Sequence, residues 1–429
     1  MDRIGIGLAG LGNVGAGVYK HLIQNRAIIG ERLGLELRVH RVAVKNPEKN
    51  RAVSPPPGII TRNWEELIED PEVNILVELM GGIDVPYEFT MRALQAGKVV
   101  VTGNKALLAE RGVEIFEKAA EKGVPIFFEA AVAGGIPIIK SIREGFIGNH
   151  IESIHAILNG TSNYILSRMA QERMDFPEAL REAQDQGYAE ADPALDVNGW
   201  DAAHKAIILA SLAYGFWVKT SQIHVAGIQD ITASDIRFAD NLGYGIKLEA
   251  TIRATRDSFV EVHVHPTLVP KQHVLASVNG VFNALMVRGD IVGDTLFYGR
   301  GAGQDPTTSS VISDLAQAAI WYDSGGKAFG FTPHGLYGKC VPIEQVSSGY
   351  YLRLTVIDEP GVLAQIANIL GSNKIGISSV IQPEGHEGDA VPLVLIIHDA
   401  PYGRMQTALG LIQGLACVKS PPMMLWVLS

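Results

Sequence analysis

The densest chemistry in the 429-residue chain lies between Gly187 and Lys205, which reads Gly-Tyr-Ala-Glu-Ala-Asp-Pro-Ala-Leu-Asp-Val-Asn-Gly-Trp-Asp-Ala-Ala-His-Lys. Glu190, Asp192, Asp196 and Asp201 bring carboxylates, Tyr188 a phenol and Lys205 an ammonium into a loop and the first turn of a helix. Asp201 and Lys205 stand i,i+4 and so share one helix face, a stripe that Ile208 and Leu212 continue. The run Ala-Ile-Ile-Leu-Ala-Ser-Leu-Ala that follows is apolar nearly all round, which predicts burial. A charged pair at the entry of a buried helix needs either mutual pairing or a ligand. A plain salt bridge would have no use for Glu190 and Asp196 beside it. Together these carboxylates suit a substrate that carries an ammonium group.

A second constellation opens the chain. An apolar run from Arg3 to Ala9 leads into Gly10-Leu11-Gly12-Asn13-Val14-Gly15 and then into a helical pattern. In the order strand, turn, helix this spacing reads as a dinucleotide site. Gly12 lets a pyrophosphate approach the backbone, and the helix N-terminus supplies N–H groups and partial positive charge. NAD-specific sites place an acid after the second strand, but here that strand ends Val42-Ala43-Val44-Lys45-Asn46. Lys45 is either a solvated loop lysine or the partner of a 2′-phosphate, so NADP(H) is favoured and NAD(H) remains possible. A third group, Thr102-Gly103-Asn104-Lys105, ends a strand at the carboxyl edge, where such sheets bind ligands. Lys105 either donates to a carbonyl or carboxylate there or stands in solvent at a helix start.

The elements that must position these residues follow from periodicity. Up to about residue 137, strands (Arg3–Ala9, Leu37–Val44, Asn74–Leu79, Lys98–Thr102, Pro125–Glu129) alternate with helices (Val14–Ile28, Trp64–Glu69, Pro86–Ala96, Leu107–Lys122). That alternation predicts an α/β, doubly wound parallel sheet. From 138 to 305, helices at Ile138–Phe146, Asn163–Glu172, Phe176–Gln186 and Asp201–Tyr214 mix with strands at Leu248–Thr255, Phe259–His265 and Val278–Val287, an α+β pattern with an antiparallel sheet. A strong amphipathic helix over Thr307–Tyr322, in a return helix bounded at 306–335, would rejoin the first domain. Tyr350–Ile357, Val362–Gly371, Ile377–Ile381 and Val391–Ile397 form a further compact unit over 349–429. His263 and His265 share a strand face, and with His273 have metal-like spacing, but they lie outside every motif and read as a solvated face.

With 36 Lys and Arg against 46 Asp and Glu, the formal net charge of −10 argues against nucleic acid or an anionic membrane as the main partner. Hydrophobic residues at 47% and charged residues at 19% are ordinary globular proportions, which excludes general disorder. Cys340 and Cys417 cannot build a disulfide framework, which points to a reducing, cytoplasmic compartment. The start, Met-Asp-Arg-Ile-Gly-Ile-Gly, reads as a strand rather than a signal peptide. The longest apolar stretch, near Ile126–Ile139, is broken by Glu129, Gly134, Gly135 and Pro137, so no transmembrane helix is expected.

The run from Ala183 to Lys205 resembles the signature of the homoserine dehydrogenase family: Ala, then Gly-Tyr, Asp-Pro, Asp, Gly, Asp and Lys at the family spacing. Glu78-Leu79-Met80-Gly81-Gly82, Thr102–Lys105, Glu129–Pro137, Asn159-Gly160-Thr161-Ser162-Asn163-Tyr164 and Gly299–Pro306 resemble family blocks in the same order, so the likeness covers about residues 1–340. It implies a Rossmann-type nucleotide-binding domain over 1–137, a substrate and dimerisation domain over 138–305, and NAD(P)-dependent interconversion of L-aspartate 4-semialdehyde and L-homoserine. By the same resemblance Glu190, Asp196 and Asp201 hold homoserine with Tyr188 and Thr161 nearby, and Lys205 is the general acid–base on the C4 oxygen. Lys105 bridges substrate and nicotinamide and can share the proton role. Gly81, Gly187 and Gly303 approach the cofactor, and Glu129 with the carbonyls of Val132, Gly134 and Ile136 binds sodium. The run Asp358-Glu359-Pro360-Gly361-Val362-Leu363 resembles the start of an ACT domain, which is ferredoxin-like, pairs side by side and binds amino acids. That implies a homodimer or homotetramer, with threonine as the effector to test. Two rival readings fare worse. A non-catalytic sensor would not need both Lys105 and Lys205, and a 2-hydroxy-acid dehydrogenase would call for an Arg and a His–carboxylate pair on the nucleotide domain.

Overall fold

The computed structural model describes residues 3–325, 331–383, 386 and 388–428. Contacts divide the chain into two compact units, one of residues 1–151, 207–220 and 289–338, the other of 152–206, 221–288 and 339–429. Among the described residues, no helix is long and apolar enough to cross a membrane.

The first unit is built on a six-stranded parallel sheet. Its strands are β1 (Arg3–Ala9), β2 (Glu36–Ala43), β3 (Ile60–Thr61), β4 (Ile75–Glu78), β5 (Val99–Thr102) and β6 (Ile126–Phe127). Their order is β3-β2-β1-β4-β5-β6, every neighbouring pair parallel. This is the doubly wound nucleotide-binding order, with its switch point between β1 and β4. β4 and β5 are buried at every position, as a sheet covered on both faces requires. The covering helices are α1 (Asn13–Gln24), α2 (Arg26–Leu33), α3 (Glu65–Glu69), α4 (Asp84–Gln95) and α5 (Lys105–Lys122).

In this first unit three expected elements differ clearly from the structure. The single helix over Val14–Ile28 is two helices separated at Asn25, which leaves helical geometry with φ −100° and ψ 12°. Ile138–Phe146 is only briefly α-helical, over Ile138–Lys140, and widens into a π turn at Ser141–Gly145. The return segment 306–335 holds a helix at Gln304–Ser324, which stops at Gly325 because that residue takes the left-handed conformation that closes helices. Residues 331–334 are not helical, and 326–330 lie outside the described residues. The returning helix buries Thr308, Val311, Leu315 and Ala318 along one stripe. Its first residue Gln304 donates through Nε2 to the Asn13 carbonyl at 2.7 Å, so it docks on the start of α1.

In the second unit, Tyr244–Ala254 and Phe259–Pro270 pair antiparallel, and Ile151–Ile157 pairs antiparallel with Tyr244–Ala254. The expected strand at Val278–Val287 begins only at Phe282, because a 3-10 turn at Val274–Ser277 and the left-handed Gly280 precede it. The C-terminal segment runs Ser347–Ile357, Val362–Ser372, Ile377–Ile381, Ala390–Pro401, Tyr402–Gln413 and Met423–Val427, a βαββαβ order. Its strands lie fourth-first-third-second with antiparallel neighbours, which is ferredoxin-like. Tyr350, Leu352, Leu354, Ile366, Leu370, Leu395, Met405 and Ile412 form its core.

This segment shares a sheet with the rest of its unit. Met423–Val427 pairs parallel with Phe259–Pro270, Trp426 facing Thr267 in register. The Trp426 ring stacks on His265 at 4.1 Å and on His263 at 5.0 Å. The reading of His263 and His265 as a solvated face is therefore corrected: they are 4% and 2% exposed because the C-terminal strand covers them. Burial holds both imidazoles neutral, with His263 pushed down to about 3, and His265 Nε2 meets His263 Nδ1 at 2.7 Å.

A second contact ties the C-terminal segment to the helix Ala233–Asn241. Arg353 Nε and Nη2 donate to the two Asp235 carboxylate oxygens at 2.6 and 3.0 Å, and the Tyr351 hydroxyl donates to Oδ1 at 3.0 Å. Asp235 is wholly buried in the first turn of Ala233–Asn241, where it also completes a capping box with Thr232. Removing one partner of such a pair strands the other charge. Asp235→Ala should therefore lower stability by about 3–5 kcal/mol, read from the urea midpoint. A loss below about 1 kcal/mol would mean that the pair contributes no more than a surface bridge does.

Candidate active site

In the second unit the strand Ile151–Ile157 ends two residues before Asn159, which caps the helix Gly160–Glu172. Asn159 Oδ1 accepts the Ser162 N–H at 2.7 Å, an ordinary N-cap. Its Nδ2 donates to Asp196 Oδ1 at 2.7 Å and to Asp201 Oδ2 at 2.8 Å, so one amide bridges two carboxylates. Lys205 Nζ donates to Asp201 Oδ2 and to the Leu158 carbonyl, each at 2.7 Å. The Leu158 carbonyl also accepts Asn283 Nδ2 at 2.9 Å. Asp201 and Lys205 are each 7% exposed.

Local sequence explains the placement. Asp201 sits in the first turn of Trp200–Tyr214, where a helix N-terminus favours an anion, and Lys205 follows one turn on. Asp196 lies on the short helix Ala194–Val197, which starts after Pro193 and is held by Ser162 Oγ donating to the Asp196 carbonyl at 2.7 Å. Burial raises the Asp196 carboxyl above its ordinary range, and the Asp201 charge adds to that, while Asn159 and Lys205 pull it back. Asp196, Asp201 and Lys205 in their ionised forms sum to one negative charge, a cluster that attracts an ammonium.

The remaining expected substrate contacts divide. Thr161 Oγ1 donates to the Tyr188 carbonyl at 2.8 Å, and the exposed Tyr188 ring packs on Tyr164 at 4.8 Å. Glu190 is exposed on the same loop, and its main-chain carbonyl accepts Gln184 Nε2 at 3.2 Å. No hydrogen bond joins its carboxylate to the Asp196–Asp201–Lys205 cluster among the described residues. Gly187 follows the helix Phe176–Asp185 with φ +73° and is exposed.

In the first unit the expected nucleotide residues gather at the carboxyl ends of β1, β2, β4 and β5. Gly10 has φ +100°, and a Cβ there would lie 2.5 Å from the Leu79 carbonyl oxygen, so only glycine lets the β1 and β4 loops touch. A Cβ on Gly12 would meet nothing within 4 Å, which leaves room over the start of α1 for a phosphate. Asn13, Val14 and Gly15 form the first turn of α1. Lys45 is exposed just after β2, Gly81 is exposed after β4, and Lys105 opens α5 behind the Asn104 cap. Gly303, with φ +117°, precedes the helix Gln304–Ser324.

Glu129 is 3% exposed, and its two carboxylate oxygens accept the N–H groups of Ile139 and Lys140 at 2.9 and 2.8 Å. Its own N–H donates to Asp314 Oδ2 at 2.8 Å. Burial raises both carboxyls, Asp314 strongly, and the Glu129 charge raises Asp314 further. Ala133 and Gly134 are both left-handed, the Gly134 carbonyl accepts Ser310 Oγ at 2.6 Å, and the Val132 N–H bonds the Glu129 carbonyl. The Ile136 carbonyl accepts the Ile138 N–H at 2.8 Å. Two buried acids beside a turn rich in carbonyl oxygens fit a hard monovalent cation.

A profile described as Homoserine dehydrogenase matches residues 137–316, and one described as Homoserine dehydrogenase, NAD binding domain, matches 10–129. The homoserine dehydrogenase of Pseudomonas aeruginosa is 44% identical over 98% of both chains, and that of Helicobacter pylori is 43% identical over 99% of this chain and 98% of its own. The chain belongs to the homoserine dehydrogenase family. A crystal structure of a homoserine dehydrogenase from Thiobacillus denitrificans superposes with a TM-score of 0.95 at 42% identity, covering 100% of this chain and 99% of that one. The chain is therefore an NAD(P)-dependent oxidoreductase of amino-acid biosynthesis that interconverts L-aspartate 4-semialdehyde and L-homoserine.

Two further residues of the second unit, Asn159 and Lys247, are placed by tertiary contacts. Asn159 holds the two aspartates together, and its signal in the sequence is an Asn-Gly pair ahead of a helix. Lys247 had no signal at all. It is 4% exposed and donates to the Val278 carbonyl, to Asn279 Oδ1 at 3.0 Å and to Asn163 Oδ1 at 3.3 Å, all neutral acceptors. Burial pushes its ammonium down to about 8. The folded chain then releases this proton well below the unfolded value near 10.4, so stability rises with pH between about 8 and 10. Lys247→Met should remove that rise, an effect of about 3 kcal/mol measured as the difference in urea midpoints across that window. Parallel pH profiles for parent and variant would show that Lys247 is not buried in its charged form.

Proposed function

We propose that Asp196 and Asp201, with Glu190 at the rim, receive the substrate ammonium, and that Thr161 and Tyr188 flank it. Lys205 serves as general acid–base at the C4 oxygen and Lys105 contacts substrate and nicotinamide. The observation that carries this reading is the buried Lys205–Asp201–Asn159–Asp196 chain, where a proton donor and a net negative charge stand within hydrogen-bond reach. The bound nicotinamide supplies or takes up the hydride. The chain's part is to orient the aldehyde, hold the ammonium and deliver a proton from Nζ to the C4 oxygen during reduction.

In this reading residues 1–137 with the return segment bind the nucleotide, 138–305 bind substrate and dimerise, and 349–429 form an ACT domain. The Gly10–Gly15 turn holds the pyrophosphate, with Gly81, Gly187 and Gly303 approaching the cofactor. NADP(H) is favoured over NAD(H), since Lys45 replaces the usual acid after β2, and a hyperthermophilic archaeal homoserine dehydrogenase of related fold (27% identity, TM-score 0.61) is described in complex with NADPH. Glu129 and the carbonyls of Val132, Gly134 and Ile136 would hold sodium. The ferredoxin-like segment supports threonine as effector and a homodimer or homotetramer as the assembly, for which calorimetry with threonine and light scattering are the direct measurements. Two separate cysteines are in keeping with a cytoplasmic enzyme.

Lys205→Ala should lower kcat by about 10²–10⁴ while NADPH affinity, read by fluorescence titration, changes little. Because the substitution strands Asp201, the double variant Lys205→Ala, Asp201→Asn is measured beside it to separate chemistry from stability. A kcat near the parent's would move the proton role to Lys105. For the cofactor, Lys45→Asp should weaken NADPH far more than NADH, since an acid repels the 2′-phosphate. Equal losses for both would show that Lys45 does not read that phosphate.

A further inference from the structure

Glu78 ends β4 at the carboxyl edge of the parallel sheet and is wholly buried, opposite Thr102 at the end of β5. Neither the binding nor the proton-transfer roles above use it. Its Oε1 accepts the Met80 N–H at 2.7 Å, and its Oε2 accepts the Thr102 hydroxyl at 2.6 Å. Thr102 Oγ1, having given its proton, accepts the Asn104 N–H at 3.0 Å. Asn104 Nδ2 donates to the Gly82 carbonyl at 2.9 Å, and its Oδ1 accepts the Leu107 N–H at 3.0 Å, which caps α5. Lys105 is the first residue of that helix.

A carboxylate buried among neutral partners is a costly choice, since nothing cancels its desolvation. Burial raises Glu78 to about 7, against the pull of Thr102, Met80 and Asn104. A threonine or asparagine could cap one loop without that cost. Only an ionised carboxylate offers two acceptors and no donor. It therefore fixes the direction of the Thr102 hydroxyl, which fixes the Asn104 main chain, which sets the first turn of α5. The same side chain holds the Met80–Gly82 loop in that frame.

We propose that Glu78 is a positioning residue for the reaction: through Thr102 and Asn104 it sets where α5 starts and hence where Lys105 stands. This rests on the reading of Lys105 as a substrate and nicotinamide contact, and the test separates the two. Glu78→Gln, Thr102→Val, Thr102→Ser and Lys105→Ala are compared in the full chain by kcat and KM for homoserine, NADPH affinity by fluorescence and thermal midpoint. A displacement near 1 Å at a reacting group costs about 100-fold, so Glu78→Gln and Thr102→Val should each lower kcat by roughly 10- to 100-fold. Thr102→Val should leave NADPH affinity within about threefold, because the Met80 side of the link survives. Thr102→Ser keeps the hydroxyl and should restore kcat. A lower thermal midpoint with kcat intact in both Glu78→Gln and Thr102→Val would reduce Glu78 to a structural staple and overturn the proposal. So would failure of serine to rescue. If Glu78→Gln does not fold, Thr102→Val with Glu78 in place carries the test. A Lys105→Ala enzyme with parental kcat and KM would remove the reading of Lys105 and the proposal with it. A crippled Lys105→Ala beside fully active Glu78 and Thr102 variants would overturn the proposal alone.

Discussion

The second unit's site depends on burying Lys205 against Asp201. Each ion costs several kcal/mol to remove from water, so the pair persists only where further hydrogen bonds complete both partners. Those bonds come from the turn that joins a strand to a helix: Leu158 gives a carbonyl to the ammonium and Asn159 gives an amide to the carboxylate. Because Asn159 is also the cap of Gly160–Glu172, the charge pair and the helix start cannot move independently. Asp196 is drawn into the same amide, which places a second carboxylate beside the first at the expense of mutual repulsion. In the function proposed above, a substrate ammonium would relieve that repulsion, so the free site would gain from its ligand.

The first unit solves the same electrostatic problem by a different route. Among the described residues Glu129 and Glu78 are buried with backbone N–H groups and a hydroxyl as their hydrogen-bond partners, where Asp201 has a lysine. Such donors stabilise a carboxylate without cancelling its charge. Asp314, beside Glu129 and buried, is accordingly driven toward its neutral form. Loops held by acceptor-only groups keep their donors aligned, which suits a sheet edge that must present glycines and a helix N-terminus to a nucleotide.

The sequence made most of this architecture legible where one signal was local and repeated. The alternation of β1, β2, β4, β5 and β6 with helices specified the doubly wound sheet, whereas the two-residue β3 carried no signal, and the i,i+4 spacing of Asp201 and Lys205 specified their shared face. Tertiary contacts were not legible. His263 and His265 looked solvated because nothing local announces that Trp426, more than 150 residues on, covers them. Lys247 has the hydropathy of a surface residue, and only the loop at Val278–Asn279 explains its burial. The helix Tyr402–Gln413 and the strand Met423–Val427 are weakly marked in the sequence because their apolar periodicity is weak; the pairing of that strand with Phe259–Pro270 supplies what propensity lacks.

That pairing decides how the C-terminal segment can influence the rest of its unit. A domain tethered by a linker acts through distance and effective concentration, whereas a shared sheet acts through register. Trp426 fixes the strand Phe259–Pro270 from one end, and Arg353 and Tyr351 fix the helix Ala233–Asn241 through Asp235. Any rearrangement of Ser347–Ile357 against Met423–Val427 therefore has to break either a buried ion pair or a stack of buried rings, and both resist small displacements. A ligand bound to this segment changes the enzyme only by binding two arrangements with different affinity. Displacing this segment would leave Asp235 or the histidines uncovered and unpaired, so the shared sheet resists partial movement of its C-terminal strands.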